Sequence, residues 1–440
     1  MAGPLASIAN ASLRQGHVPD AWKLADIVPL PKVRLPISIQ TDLCPISKTS
    51  VAAKAVEHFP VKFMYNSVMD HLDLNQFEGV KGSSTALALL KIIDFIAKST
   101  DNSSVMVRML LCDFSKAFDL VEHPVLINKL KNFGIHDSLT RWTESFLRSR
   151  SQRVRVDSFI SETLTMNAGC PQGTLLGPLA FVSYINDLCL PGNLLTIKYM
   201  DDTTILHASG PDGNQQSLIE ALKYLHNWAL SNKMKFNLSK TKEMVFNFSR
   251  NTAMPDQLIL GDTKLEQVIE AKILGVVLQS DLKWVSHIAM IIKKAHKRLY
   301  LLRLCKRAGV KQADLIHIYT SLIRSVCEYC CVVWHSSLPR YLHNDLEHIQ
   351  KRAMAIIFPG NGYEQSLQAA NLLTLFQRRE HQCKKLFLEV EKDSHKLHAI
   401  LPEKRHMTHC LRQASHIPHV RARTERYHKT YVPYCIRNFQ

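Results

Sequence analysis

"LLTIKYMDDTTILHAS", residues 194–209, sets Asp201 and Asp202 side by side between two apolar segments. The flanking runs predict strands over 195–200 and 203–208, joined by a tight hairpin with the acidic pair at its tip. Adjacent carboxylates repel each other. An exposed acidic turn is one reading of such a tip. The other is a site for divalent cations, because Mg²⁺ takes hard oxygen ligands from one or two carboxylates plus substrate phosphates.

A third carboxylate enters from upstream. In "VMVRMLLCDFSKAFD", residues 105–119, an apolar strand over 105–112 ends at Asp113, with Phe118 and Asp119 in the turn that follows. A strand-terminal Asp is commonly only a turn or cap residue. If that strand lies beside the hairpin, however, three carboxylates converge, enough for two metal ions roughly 4 Å apart in a phosphoryl transfer. The stretch 167–188, "NAGCPQGTLLGPLAFVSYINDL", adds a loop with Gly169, Pro171, Gly173, Gly177 and Pro178 ahead of an apolar helix, where backbone can approach a ligand closely. Gln172 in that loop offers both a donor and an acceptor.

The 440 residues predict two or more subdomains. The 55 Lys and Arg against 38 Asp and Glu, a net +17, favour a polyanionic partner such as nucleic acid or an anionic membrane surface. No apolar run of spanning length and no signal-peptide pattern is present, so an intracellular protein is expected. Eleven scattered cysteines suit reduced thiols. Cys327, Cys330 and His335 in "CEYCCVVWH" are spaced like the start of a zinc knuckle, but Arg340 stands where the fourth ligand should fall. Val326, Val332, Val333 and Trp334 make that run read as buried helix.

Further strands are predicted over 243–248 and 273–278, and helices over 123–135 and 217–230, an irregular mixture that predicts α+β packing on an antiparallel sheet. Turn-rich interruptions fall at 208–216 and 249–257. After about residue 283 the strands cease. Residues 283–312 hold nine Lys or Arg and no Asp or Glu, with an apolar stripe of Ile288, Ile291, Ile292, Ala295, Leu299 and Leu302. This is an amphipathic helix whose cationic face is a solvated face, a phosphate-tracking surface or a membrane-surface helix. Helical pattern continues through 315–334 and 343–357 to about residue 400, and 401–440 is a basic, aromatic C-terminal tail.

In order, "CDFSKAFD", "GCPQGTLLGPLAF" and "YMDD" resemble the palm motifs of reverse transcriptases, and the flanks are similar to those of non-LTR retrotransposon polymerases of the jockey-like kind. "VPDAWKLADIVPLPK", "DLCPIS" and "QFEGVKGSSTALAL" look like the finger motifs; "NLSKTKEMVF", "KILGVVLQSDLKW" and "RTERYHKTYVPYCIRN" look like the segments after the palm. The resemblance implies a right-hand fold, with fingers and palm over 13–278, a helical thumb and connection over 283–400 and the tail over 401–440. It implies RNA-directed DNA polymerase activity on an RNA template, a DNA primer or target and dNTPs, in the nucleus.

Carried over, the resemblance makes Asp113, Asp201 and Asp202 the ligands of two Mg²⁺, with Mn²⁺ as a substitute and the Phe114 carbonyl assisting. Phe118 becomes the gate against a 2′-hydroxyl, Gln172 a neighbour of the incoming nucleotide, and Lys240 an acid toward the leaving pyrophosphate. Leu274, Gly275 and Val276 become the primer grip. The 283–312 helix becomes the thumb, with Lys293, Lys294, Lys297 and Arg298 on the nucleic-acid backbone.

Three departures stand out. Cys44 occupies the place of an Arg expected to meet the triphosphate, which removes a charge-assisted contact. Val80 replaces an often basic residue, beside Lys81. Nothing upstream of residue 20 holds the family's endonuclease, so an N-terminally truncated copy or a gene-model fragment is expected. These departures keep open an alternative: an impaired remnant that only binds nucleic acid.

Overall fold

A computed structural model describes residues 2–192, 194–210, 215–249, 253–403 and 417–440. Parts of the turn-rich stretches at 208–216 and 249–257, and of the tail from 401, lie outside the described residues.

The fingers begin with an antiparallel pair, β1 (Leu24–Pro31) and β2 (Leu43–Thr49), in which Ile27 faces Ser47 and Leu30 faces Cys44. The helix Val51–Met69 follows, started by the Ser50 hydroxyl, which accepts from Ala53 N. A second helix, Thr85–Ser99, buries Leu87, Ile92, Ile93 and Ile96. It leads into β3 (Met106–Cys112), the central palm strand, and the short β4 (Phe114–Ser115). Two helices, His123–Asn132 and Asp137–Leu147, carry the chain back to the fingers. There β5 (Arg150–Val156) adds in parallel to β1, with β6 (Phe159–Ile160) and β7 (Leu164–Met166) paired to it.

The Gly-bearing loop and the buried helix Leu176–Ile185 return the chain to the palm. Here β8 (Leu195–Tyr199) and β9 (Asp202–Ser209) form the hairpin expected from the sequence, and β9 lies antiparallel to β3. After the helix Gln216–Ser231 come β10 (Lys235–Phe236), paired to β4, and β11 (Lys242–Phe246) on the other side of β3. A small antiparallel pair, β12 (Ile259–Leu260) with β13 (Thr263–Lys264), precedes β14 (Glu266–Gln267) at the sheet edge. The palm order is therefore β14-β11-β3-β9-β8.

Strand alternation divides this sheet between two cores. Val107, Met109, Leu206 and Met244 face one core, shared with the thumb, while Leu110, Cys112 and Ile205 face the other, shared with the fingers helices. The sheet is thus buried on both faces, which explains its nearly continuous apolar runs.

The expected single strand over 273–278 is instead a hairpin, β15 (Glu270–Ile273) and β16 (Val276–Gln279), turning at Leu274–Gly275. Both turn residues have positive φ, 47° and 86°, the requirement of the tight turn whose twist matches a hairpin.

Among the described residues everything beyond β16 is helical or irregular. The helix Val285–Arg307 buries Ile288, Ile291, Ala295, Leu299 and Leu302, as its periodicity predicts. The helical pattern of 315–334 does not continue unbroken. It runs from Gln312–Ile318 into a π-helical turn, Tyr319–Arg324, then Ser325–Glu328, and bends at Cys330 (φ 50°) before Cys331–Trp334. Long helices Arg340–Ile357 and Leu375–Val390 complete the thumb core. The described end of the chain docks on this core: Asp101 accepts from Arg423 N and Thr424 N, while Tyr431, Val432, Cys435 and Ile436 are buried.

The Cys/His run is core packing. Cys327 and Cys331 are buried, the Cys330 sulfur lies 3.5 Å from the Thr85 hydroxyl, and His335 meets Glu380 at 3.1 Å. No helix among the described residues is long and apolar enough to cross a membrane.

Candidate active site

The register between β3 and β9 assembles the acidic cluster. Cys112 pairs with Thr203, and the ladder continued by one residue sets Asp113 opposite Asp202. On the other edge of β9, Tyr199 pairs with Asp202, so Asp202 opens the strand while Met200 and Asp201 form the turn. The acidic pair is therefore split, one carboxylate on the ladder and one on the tip. Met200 holds a φ of 54°, at a cost of roughly 1–2 kcal/mol for a residue with a side chain. Such strain persists where the surrounding structure over-determines it.

The electrostatics match a cluster of like charges. Partial burial, then the Asp113 carboxylate, pushes the Asp201 carboxyl above its ordinary value. Asp202 is raised by burial and by both other aspartates. Asp113 contributes a buried Oδ2 with no hydrogen-bond partner. An acceptor hidden from solvent and left unpaired, beside two carboxyls raised above their ordinary range, is a donor set of the kind a hard divalent cation takes. Among the described residues no three His, Cys, Asp or Glu side chains are gathered tightly enough to hold an ion by themselves.

Phe114 follows in β4, its ring buried against Trp228 and Phe236. Asn237 N donates to the Asp113 carbonyl at 2.9 Å, and antiparallel alternation then turns the Phe114 carbonyl away from β10. Lys240 lies exposed on the turn that begins at Asn237, next to this strand end. Phe118 stacks on Phe181, ring centroids 4.3 Å apart and 17° from parallel, a support that fixes its orientation.

The Gly-bearing loop is stitched onto this turn: Cys170 N donates to the Phe118 carbonyl at 2.7 Å and Gly169 N to the Val121 carbonyl at 2.8 Å. A methyl group at Gly169 would stand 3.0 Å from the Asp119 carbonyl oxygen, and one at Gly173 2.6 Å from that of Ser47. Only glycine permits both approaches. A cavity of about 420 Å³ results, bounded by Ala25, Ile27, Pro45 and Ser47 of the fingers, by Lys116, Asp119 and His123 of the palm, and by Gly169–Gln172. Gln172 thus reaches the cavity.

Cys44 does not line that cavity. Pro45 and Ser47 point to it, so Cys44 and Ile46 occupy the opposite face of β2, where Asp26 on β1 pairs with Arg153 and Arg155. Val80 and Lys81 border a separate open cavity that Tyr199 also lines.

Leu274 and Gly275 form the tip of the β15–β16 hairpin, and Val276, buried, pairs with Ile273 directly behind it. A small cavity lined by Cys112, Asp202, Thr204 and Leu274 separates this tip from the acidic cluster. Lys293, Lys294 and Lys297 are exposed along the thumb helix. Arg298 is half-buried, one N–H of its guanidinium donating to the Leu322 carbonyl in the π-helical turn.

Two supporting residues escaped sequence reading. Glu57, 1% exposed, accepts from Leu176 N at 2.7 Å and so holds the N-terminus of the helix behind the Gly-bearing loop. Burial raises its carboxyl, against the lowering effect of that helix end. Lys198, fully buried, meets Asp73 at 2.9 Å and the carbonyls of Asn186 and Leu188, anchoring β8 just before the acidic turn. Their positions in apolar segments carry no sequence signal that distinguishes them from surface charges.

The family profile described as "Reverse transcriptase (RNA-dependent DNA polymerase)" matches residues 37–278, more than half of the chain. The chain belongs to the reverse transcriptase family. Its fold is the right-hand polymerase fold expected from the resemblance.

Three relatives come from Drosophila melanogaster. The "Probable RNA-directed DNA polymerase from transposon BS" is 27% identical over 373 residues, 80% of this chain and 40% of the relative. The corresponding protein from transposon X-element is 25% identical over 367 residues, 80% of this chain and 39% of the relative. The "RNA-directed DNA polymerase from mobile element jockey" is 24% identical over 368 residues, with the same coverages of 80% and 39%. The chain thus spans about 40% of the length of these reverse transcriptases. Among solved structures, apo telomerase from Candida Tropicalis resembles it with a TM-score of 0.46 at 11% identity, over 90% of this chain and 67% of that one.

Proposed function

We propose that this reverse transcriptase is an RNA-directed DNA polymerase of a non-LTR retrotransposon, adding deoxynucleotides to a primer 3′ hydroxyl. The observation that carries the reading is the pairing of Cys112 with Thr203, which brings the next residue on each chain, Asp113 and Asp202, to one end of the ladder, beside the strained turn holding Asp201. Asp113, Asp201 and Asp202 hold two divalent cations, Mg²⁺ or Mn²⁺, with the Phe114 carbonyl assisting. Bound there, the cations neutralise charge on the attacking oxygen, the phosphate and the leaving group. Template RNA, a DNA primer or target and dNTPs are the substrates, and nuclear work follows from the family's target-primed chemistry.

The chain's own residues do the positioning. Phe118, braced by Phe181, presents a flat apolar edge to the sugar and excludes a 2′-hydroxyl. Gln172, at the cavity wall, orients the incoming nucleotide, and Lys240 delivers a proton toward the leaving pyrophosphate. Leu274, Gly275 and Val276 support the primer end, while Lys293, Lys294 and Lys297 track backbone phosphates through counterion release. Arg298 joins these lysines on the backbone, with one guanidinium N–H donating to the Leu322 carbonyl.

An impaired nucleic-acid-binding remnant is the second reading, raised by the neutral side chain at Cys44, although Cys44 lies on the face of β2 turned away from the Gln172 cavity. Primer extension on an RNA template, with deoxynucleotides and Mg²⁺, decides between them. Extension by the wild-type protein supports the polymerase. Extension only by Cys44→Arg identifies a local lesion, and extension by neither supports the remnant. A Phe118→Val variant of an active protein is expected to incorporate ribonucleotides at least about tenfold better, the discrimination of roughly one lost steric contact.

A further inference from the structure

The β15–β16 hairpin is secured at its tip by a side chain from outside the palm. A two-stranded pair this short is marginal on its own. Its turn is strained as well, with φ of 47° at Leu274. Ile273, Val276 and Leu278 pack its strands into the thumb core, which leaves the tip to be held. Tyr329, at the bend between helices Ser325–Glu328 and Cys331–Trp334, donates from its hydroxyl to the Leu274 carbonyl at 2.8 Å. The same hydroxyl lies 3.3 Å from the Thr85 hydroxyl at the start of the helix Thr85–Ser99. The ring closes over Gly275, where an added methyl would approach Cε1 and Oη to 3.1 Å.

The bend that aims Tyr329 is itself fixed. Cys330 holds a φ of 50°, and Trp334, fully buried, donates from Nε1 to the Tyr329 carbonyl at 3.2 Å. Trp334 packs edge-on against His287 of the long thumb helix. A continuous set of contacts therefore runs from the thumb core through Trp334 and Tyr329 to the hairpin tip. On its other side that tip faces Cys112 and Asp202 across the small cavity. Tyr329 lines neither this cavity nor the one that Gln172 reaches.

We propose that Tyr329 is a positioning residue that sets the hairpin tip against the strand ends carrying Asp113 and Asp202, so that thumb packing fixes where a primer terminus rests. The proposal rests on the reading of this hairpin as the primer's support. Tyr329→Phe keeps the ring over Gly275 and removes only the hydroxyl. Gly275→Ala pushes the hairpin off the ring from the opposite side.

Hydrogen–deuterium exchange over residues 270–279 is expected to accelerate in both variants. Fluorescence-anisotropy titration with an annealed DNA primer on RNA template is expected to show binding weakened by about twofold to tenfold in Tyr329→Phe, the span of one neutral hydrogen bond. In steady-state extension the KM for primer–template rises while the KM for dNTP stays unchanged. Unaltered exchange and primer binding in Tyr329→Phe overturn the proposal, as does an equal rise in both KM values.

The exchange and binding measurements need no turnover. Loosening of the hairpin and weaker primer binding in a protein that never extends primer leave the clamp standing and remove the polymerase reading. Extension by a wild type that Tyr329→Phe matches in every measurement removes the clamp alone.

Discussion

The acidic cluster of the palm and the Cys/His run of the thumb look alike in sequence: each sets potential metal ligands close together. The fold treats them oppositely. Asp202 opens a strand and Asp201 sits on the turn before it, both reached by solvent yet raised by partial desolvation and neighbouring carboxylates, beside an unpaired Asp113 oxygen. Cys327, Cys331 and His335 are sunk in the thumb core, where His335 meets Glu380 and the thiols are pushed up by burial. The palm cluster gathers three carboxyls at one end of a strand ladder; the thumb run spreads its thiols and imidazole among apolar side chains.

The comparison breaks first at Trp334. If the run is core, Trp334→Ala lowers stability by about 3–5 kcal/mol in urea unfolding. A change below about 0.5 kcal/mol, the range of a surface substitution, would place the segment outside the core. A smaller effect, about 1–3 kcal/mol, is expected for Cys327→Ser, which buries a hydroxyl among apolar neighbours. In the same experiment a chelator should leave the wild-type midpoint unmoved, since a structural zinc would make folding chelator-sensitive.

The smallest effect sharpens the other side. Because the folded state raises the Asp201 carboxyl, the native protein binds more protons there than the unfolded chain, and stability contributed by this group falls as pH rises. Asp201→Asn should therefore melt slightly higher than wild type at pH 7 without divalent metal. The gap should close as pH drops through the raised value toward the ordinary carboxylate range. A lower melting temperature for Asp201→Asn at pH 7 would show that the carboxylate is satisfied and the site reading unsound.

Much of this was legible in the sequence, for identifiable reasons. β3, β8, β9 and β11 lie in a sheet buried on both faces, so their apolar runs are long and obvious. The convergence of Asp113 with the pair was legible only as a condition, because register is a tertiary fact. The fingers strands were not predicted: Pro29 and Pro45 face each other in β1 and β2, and proline ordinarily argues against a strand.

The run "ILGVVL" hid a turn because Leu274 takes a positive φ that its side chain does not advertise, leaving Gly275 as the lone signal. The bend at Cys330 had no glycine or proline to mark it, and it is held by Trp334 from five residues away. Arg298 and Glu57 show the same limit for charges. Neither its type nor its spacing tells which arginine turns inward to a carbonyl or which glutamate caps a buried helix.

The central claim is that Asp113, Asp201 and Asp202 act together as a divalent-cation site for nucleotide addition. The most direct measurement is single-turnover extension of a DNA primer on an RNA template across a Mg²⁺ titration, comparing wild type with Asp201→Asn. The account predicts Mg²⁺-dependent extension by the wild type and a loss of about a hundredfold or more in the variant. Equal extension rates for the two proteins at every Mg²⁺ concentration would contradict it.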